Sequence, residues 1–283
     1  MIIVLISALA STLSRCEVNA RILDSEGLID LLYVAYNRDE SEVYELNKVL
    51  NSGYEELYST APDVLDKKMK AIDAQIKENA TELAKEVIDD AISAINQLRA
   101  NDKISDIYII GHSFGGQLAP VIANKTDVKG VIILAGTTEH IIDVAMNQLK
   151  EQNSPYYNVY DPYDEYFRDI KEVVPSEIGY FFMGAYETYW VSYNNINLSE
   201  EILSCGNNKK MLVLQGGLDL QVKASELDNY RNLLKDTNAE FKLYETLNHM
   251  FVDGTGETIT TAYQVYNEIP NSVIEDILKF IER

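Results

Sequence analysis

"IIGHSFGGQLAP", residues 109–120, decides how the rest of the chain is read. Gly111, Ser113 and Gly115 form a G-x-S-x-G pattern, with His112 and Phe114 between them. Ahead of it, "DIYII" (106–110) is a β-branched and aromatic run of strand type. Behind it, Leu118, Val121 and Ile122 fall at helical spacing. A strand turning sharply into a helix around a serine is the setting of a nucleophile elbow. Short Gly-Ser-Gly matches also arise by chance, so the reading requires partners elsewhere.

Working outward, apolar strand-like runs alternate with amphipathic helical patterns. Strands are expected at Ile2–Ile6, at 28–37, at "VKGVIILAG" (128–136), at "KKMLVLQGG" (209–217) and at "EFKLYETL" (240–247). The run at 128–136 is continuously apolar, as in a strand covered on both faces. Helices are expected where Leu65, Met69, Ile72 and Ile76, and then Leu83, Val87, Ala91, Ile95 and Leu98, share a face. Two more follow, one capped by Ser225 and one with Val273, Ile274, Ile277, Leu278 and Ile281 on one side. This alternation predicts an α/β fold with a mostly parallel central sheet flanked by helices. Pro120, seven residues after Ser113, predicts a kink or an irregular turn in its helix.

The alternation breaks at 138–205. Residues 1–137 and 206–283 are expected to form the core, and 138–205 a helical, aromatic-rich cap inserted between two strands. The insertion holds 13 of the 27 aromatic residues, which fits either a binding wall or a small core of its own. Tyr186 and Trp190 are the substrate-binding candidates there.

Composition narrows the function. With 24 Lys+Arg against 45 Asp+Glu, the net charge of −21 repels phosphate backbones and argues against nucleic acid as a partner. No run reaches the ~18 apolar residues of a membrane span. Two cysteines, Cys16 and Cys205, are too few for a disulfide framework, and three histidines without nearby cysteines do not suggest a zinc site. The apolar start, residues 1–15, reads either as a buried strand or as the core of an export signal. No basic residue precedes it, which favours the strand and a cytoplasmic location; an export signal would make the protein exported.

A serine hydroxyl becomes a useful nucleophile when a base stands within hydrogen-bond reach and a third group orients that base. On a parallel sheet, such groups collect at the carboxyl ends of strands. Asp219 follows the strand at 209–217, and His249 follows the strand at 240–247. The chain order Ser113, Asp219, His249 is that of a serine hydrolase built on such a sheet. His112 is constrained beside the serine and is expected to hold the turn. His140, four residues past a strand, is an alternative base, and Asp253 reads as a turn residue.

The segments "EVIDDAISAI", "GHSFGGQLAP", "GVIILAGTTEH", "LVLQGGLDLQV" and "FKLYETLNHMF" resemble the α/β-hydrolase superfamily over about residues 82–283. The likeness is to a bacterial serine esterase group related to carboxylesterases and dienelactone hydrolases. It implies a hydrolase that cleaves carboxylic esters without a cofactor or metal, with Ser113 as nucleophile, His249 as base and Asp219 as orienting acid. Its partner would be a small-molecule ester; the oligomeric state is left open. The backbone N–H of Phe114 would be one oxyanion donor. The His-Gly dipeptide that the group carries in the loop of the other donor is absent from this sequence, so the N–H of Ser7 or Ala8 would serve. The same triad also suits an amide or thioester hydrolase, and the fold alone also suits a non-catalytic binding protein.

Overall fold

The computed structural model describes residues 2–7, 30–35, 83–172, 181–183, 185–258, 261 and 268–283, and of 2–7, 30–35, 83–86, 181 and 186 only the backbone. The helical pattern from Leu65 to Ile76, and Cys16, lie outside the described residues.

Strand β1 is Ile2–Ser7 and β2 is Asp30–Ala35, so the apolar start of the chain is a strand. Helix α1 (Leu83–Arg99) follows, then β3 (Ile107–His112), α2 (Phe114–Asn124) and β4 (Gly130–Leu134). After the insertion come α7 (Leu198–Asn208), β7 (Lys210–Gly216), α8 (Glu226–Leu233), β8 (Glu240–Tyr244) and α9 (Asn271–Glu282). The sheet runs β2-β1-β3-β4-β7-β8 with every pairing parallel. From β1 the chain steps to the edge at β2 and returns on the other side at β3. The strand order therefore reverses between β1 and β3, where open α/β sheets bind their ligands.

Alternation along the strands distributes side chains to two cores. Ile107, Ile109, Val131, Ile133, Met211 and Val213 face one way, with Ala91 and Ile95 of α1, Leu118 and Ile122 of α2 and Leu227 of α8. Tyr108, Ile110, Ile132, Leu212 and Leu214 face the other, against Val273, Ile277, Phe280 and Ile281 of α9. Burying both faces is why these strands read as continuous apolar runs.

Of the kink or irregular turn expected at Pro120, the irregular turn is not found: α2 runs through it from Phe114 to Asn124. Proline removes one hydrogen bond, to the Gly116 carbonyl. The buried row Leu118, Val121 and Ile122 holds the helix in place regardless.

The insertion contains α3 (Ile141–Glu151), the short helices α4 (Tyr157–Tyr160) and α5 (Asp164–Asp169), a two-stranded ribbon of β5 (Phe181–Phe182) and β6 (Ala185–Tyr186), and α6 (Glu187–Asn194). It has its own apolar cluster of Ile142, Met146, Phe167, Ile170, Phe182, Trp190 and Tyr193. Helix α7, which the sequence reading splits at 205, belongs instead with the main core, because Ile202 and Cys205 pack there.

Candidate active site

β3 ends at His112 and α2 begins at Phe114, so Ser113 by itself makes the turn. Its backbone lies at φ 56°, ψ −123°, where residues other than glycine are rare and strained. Two bonds hold it: Ser113 N–H donates to the Leu134 carbonyl on β4, and Gly116 N–H donates to the Ser113 carbonyl, both at 2.9 Å. A Cβ at Gly111 would lie 2.4 Å from the Gly115 carbonyl oxygen, so the chain can fold back this tightly only over a glycine.

Of the backbone groups expected as oxyanion donors, those of Phe114 and Ser7 lie at or beside the same turn. The Phe114 N–H is in the first turn of α2, where a helix supplies no acceptor of its own. Ser7, the last residue of β1, pairs in register with His112. The end of β1 therefore adjoins the elbow, while Ala8 lies outside the described residues.

Asp219 and His249 meet in the loops after β7 and β8. His249 Nδ1 donates to Asp219 Oδ2 at 2.8 Å, and both side chains are buried. The other Asp219 oxygen accepts the N–H groups of Gln221 and Val222, each at 2.8 Å, and Gln215 Nε2 donates to Oδ2 at 3.1 Å. Four donors thus converge on one carboxylate and pin its plane. With its proton on Nδ1, His249 keeps Nε2 as the acceptor that a general base requires. Gly216 makes the meeting possible: a Cβ there would lie 2.5 Å from the Leu247 carbonyl oxygen and 2.7 Å from that of Asn248.

Ser113 is half-buried at the elbow, and no hydrogen bond joins its hydroxyl to His249 among the described residues. The two segments are joined through its neighbour. His112 Nε2 lies 2.8 Å from the His249 carbonyl oxygen, and the two imidazole rings are 4.8 Å apart. His112 thus holds the loop that carries His249, a wider role than securing its own turn. Burial first, and then the adjacent His249, push its pKa down to about 4.

His140 is not available as a base. Its Nδ1 accepts the Ile142 N–H at the start of α3, and its Nε2 bonds Asn194 Oδ1 at 2.8 Å. Burial lowers its pKa as well. Asp253 is a turn residue: its carboxylate accepts the N–H and hydroxyl of Thr255.

The aromatic candidates of the insertion divide. Trp190 is buried in the insertion's own cluster, and its indole N–H donates to the Phe182 carbonyl at 3.1 Å. That packing takes it away from the pocket-wall role expected for it. Tyr186 has its backbone in β6, paired with Phe181, and its side chain is outside the described set. The aromatic beside the elbow is Tyr193, whose ring lies 5.9 Å from that of Phe114. Sequence reasoning missed Tyr193, and it also missed Asn248, whose side chain accepts from Met250 N–H and donates to Glu257 to shape the His249 loop. Neither carries a motif; the Gly216–Gly217 pair was the one legible sign of close loop contact.

A parallel sheet covered on both faces, with a serine on a strained strand-to-helix turn and an Asp–His pair beyond two later strands, defines the α/β-hydrolase fold. The family and sequence matches agree with that class. Residues 39–169, which include the elbow, match the dienelactone hydrolase family. Esterase EstD of Thermotoga maritima is 27% identical over 203 residues, covering 70% of this chain and 48% of that protein. The chain thus spans about half the length of that curated relative. Among solved structures, esterase Pf2001 of Pyrococcus furiosus aligns with a TM-score of 0.47 at 16% identity, over 72% of this chain and 64% of that one. Est1E from Butyrivibrio proteoclasticus aligns with a TM-score of 0.44 at 16% identity, over 70% and 71%.

Proposed function

We propose that this protein is a serine hydrolase that cleaves carboxylic esters through an acyl-enzyme, with Ser113 as nucleophile, His249 as general base and Asp219 as orienting acid. The observation that carries this reading is the buried His249–Asp219 bond of 2.8 Å, which leaves Nε2 unprotonated and is tethered through His112 to the strained Ser113 turn. The matches to the dienelactone hydrolase family and to an esterase favour the ester as the bond attacked.

In the first step Ser113 Oγ bonds to the ester carbonyl carbon and its proton passes to His249 Nε2. The carbonyl oxygen becomes an oxyanion, held by the Phe114 N–H and a second donor at Ser7 or Ala8. As the C–O bond breaks, His249 returns the proton to the departing alkoxide and the alcohol leaves. Water then attacks the acyl-enzyme, gives its proton to His249 and releases the acid, with Ser113 reprotonated. The part of the insertion ahead of α7 acts as the cap over this site, with Tyr193 against Phe114 of α2 at its inner wall. Segment 138–205 as a whole holds 12 Asp+Glu against 3 Lys+Arg, which favours neutral over anionic esters.

The test is labelling by a fluorophosphonate alongside a panel of p-nitrophenyl esters, anilides and thioesters. Wild-type protein is expected to be labelled on Ser113 and to turn over the short-acyl esters fastest, and Ser113→Ala to lose both. Turnover retained in Ser113→Ala would remove the serine from the mechanism. Anilides or thioesters outrunning esters would change the bond class.

A further inference from the structure

The sheet order sets a problem for the site. β4 and β7 stand between β3, which ends at the elbow, and β8, which precedes His249. Three strand spacings amount to about 14 Å. Asp219 fixes the His249 ring from β7, the neighbour of β8, so that bond relates the base to its own side of the sheet and not to Ser113. Something must fix the His249 loop relative to β3.

We infer that His112 is a positioning residue: the Nε2–H it donates to the His249 carbonyl sets where the base stands relative to the adjacent nucleophile. The inference rests on the hydrolase reading above. Among the described residues, this 2.8 Å bond is the hydrogen bond that joins segment 111–116 to the loop 245–254. A carbonyl oxygen only accepts, so the proton is on Nε2 and the tautomer of His112 is settled. Because His112 and Ser113 are consecutive, the bond ties the base to the nucleophile through a single peptide unit.

The neutrality of His112 matters as well. Among the described residues, two titratable groups face its ring: His249 on the loop after β8 and Asp219 on the loop after β7. A charged His112 would stand 4.8 Å from His249 and oppose the imidazolium that forms during acyl transfer. Burial and the neighbouring His249 keep it neutral above about pH 4. His112 is thus a fixed donor that neither competes as a base nor repels the one beside it.

The experiment compares His112→Leu, which removes the donor, with His112→Gln, whose amide N–H can donate from a similar reach. A small misplacement of a catalytic group costs on the order of 10²-fold in rate. The expected result for His112→Leu is a kcat about 10²-fold lower with KM within about 3-fold, and fluorophosphonate labelling of Ser113 slowed in parallel. His112→Gln should recover most of that loss, and its acidic limb in kcat/KM should stay a single titration at the wild-type position. Equal melting temperatures for the two variants, with different kcat, would separate positioning from folding. His112→Leu labelled and turning over at the wild-type rate overturns the inference, as does His112→Gln no better than His112→Leu. Wild-type protein that is neither labelled nor active overturns the hydrolase reading itself, a distinct outcome.

Discussion

The hydroxyl of Tyr193 donates to Gln117 Oε1 at 2.8 Å and accepts the Ile141 N–H at 3.2 Å. Gln117 lies one turn beyond Ser113 on α2, and its amide in turn donates to the Glu139 carbonyl. Asn194, next to Tyr193, takes His140 on one side and donates to the Phe167 and Ile170 carbonyls on the other. Through these bonds the insertion is fastened to the helix that follows Ser113.

Tyr193→Phe should therefore act on stability and on the site together. It leaves the buried Gln117 oxygen and the part-buried Ile141 N–H without this partner, a cost of about 1–3 kcal/mol. A urea melt should register that loss, and KM for bulky acyl esters should rise more than for acetate. A variant with unchanged stability and unchanged KM would mean that the insertion is not held through this residue.

Asp219→Asn tests the orienting role. The four donors around Asp219 include His249 Nδ1, so whichever way an amide turns, its NH₂ meets another donor. The His249 ring would then favour the tautomer with the proton on Nε2, which cannot act as base. The expected fall in kcat is on the order of 10⁴, read in a p-nitrophenyl ester assay, and a fall under tenfold would count against it.

Gly216→Ala reaches the same pair from the backbone. The new Cβ would press on the carbonyls of Leu247 and Asn248, which are main chain and cannot rotate away. Overpacking of this kind costs about 1–3 kcal/mol. The His249 loop would shift by enough to impair kcat, so both the melting temperature and kcat should drop. Activity retained at the wild-type level would show that the loop has slack.

The acid side of the stability curve carries a sign set by His112. Its pKa is about 4 in the folded protein against an ordinary 6.5, so the unfolded chain binds the proton first as pH falls. Stability from this residue is whole above about 6.5, declines between 6.5 and 4, and levels off below that range. The loss is on the order of 3 kcal/mol. The stability of wild type relative to His112→Gln should fall by that order between pH 7 and pH 4, measured by denaturant titration at each pH; a gap independent of pH would contradict it. His140, also depressed by burial, adds a decline of the same sign to both proteins.

Much of this was legible in the chain itself. Runs such as Ile107–Ile110 and Met211–Leu214 announce buried parallel strands because both faces are covered. Gly111 and Gly115 around Ser113 announce the turn because only small residues allow the fold-back. Asp219 and His249 could be chosen because strand ends are where a parallel sheet collects its chemistry. Each of these signals is local, a matter of period or of neighbours in the chain. The His112–His249 bond spans 137 positions and the Tyr193–Gln117 bond 76, and no periodicity records either. Trp190 had the look of a pocket wall until packing put it in the insertion's core, where its indole N–H finds the Phe182 carbonyl. Sequence determined the sheet, the turn at Ser113 and the choice of Asp219 and His249; only tertiary structure decided which side chain ties the His249 loop to that turn, because that depends on how far loops from separated strands travel before they meet.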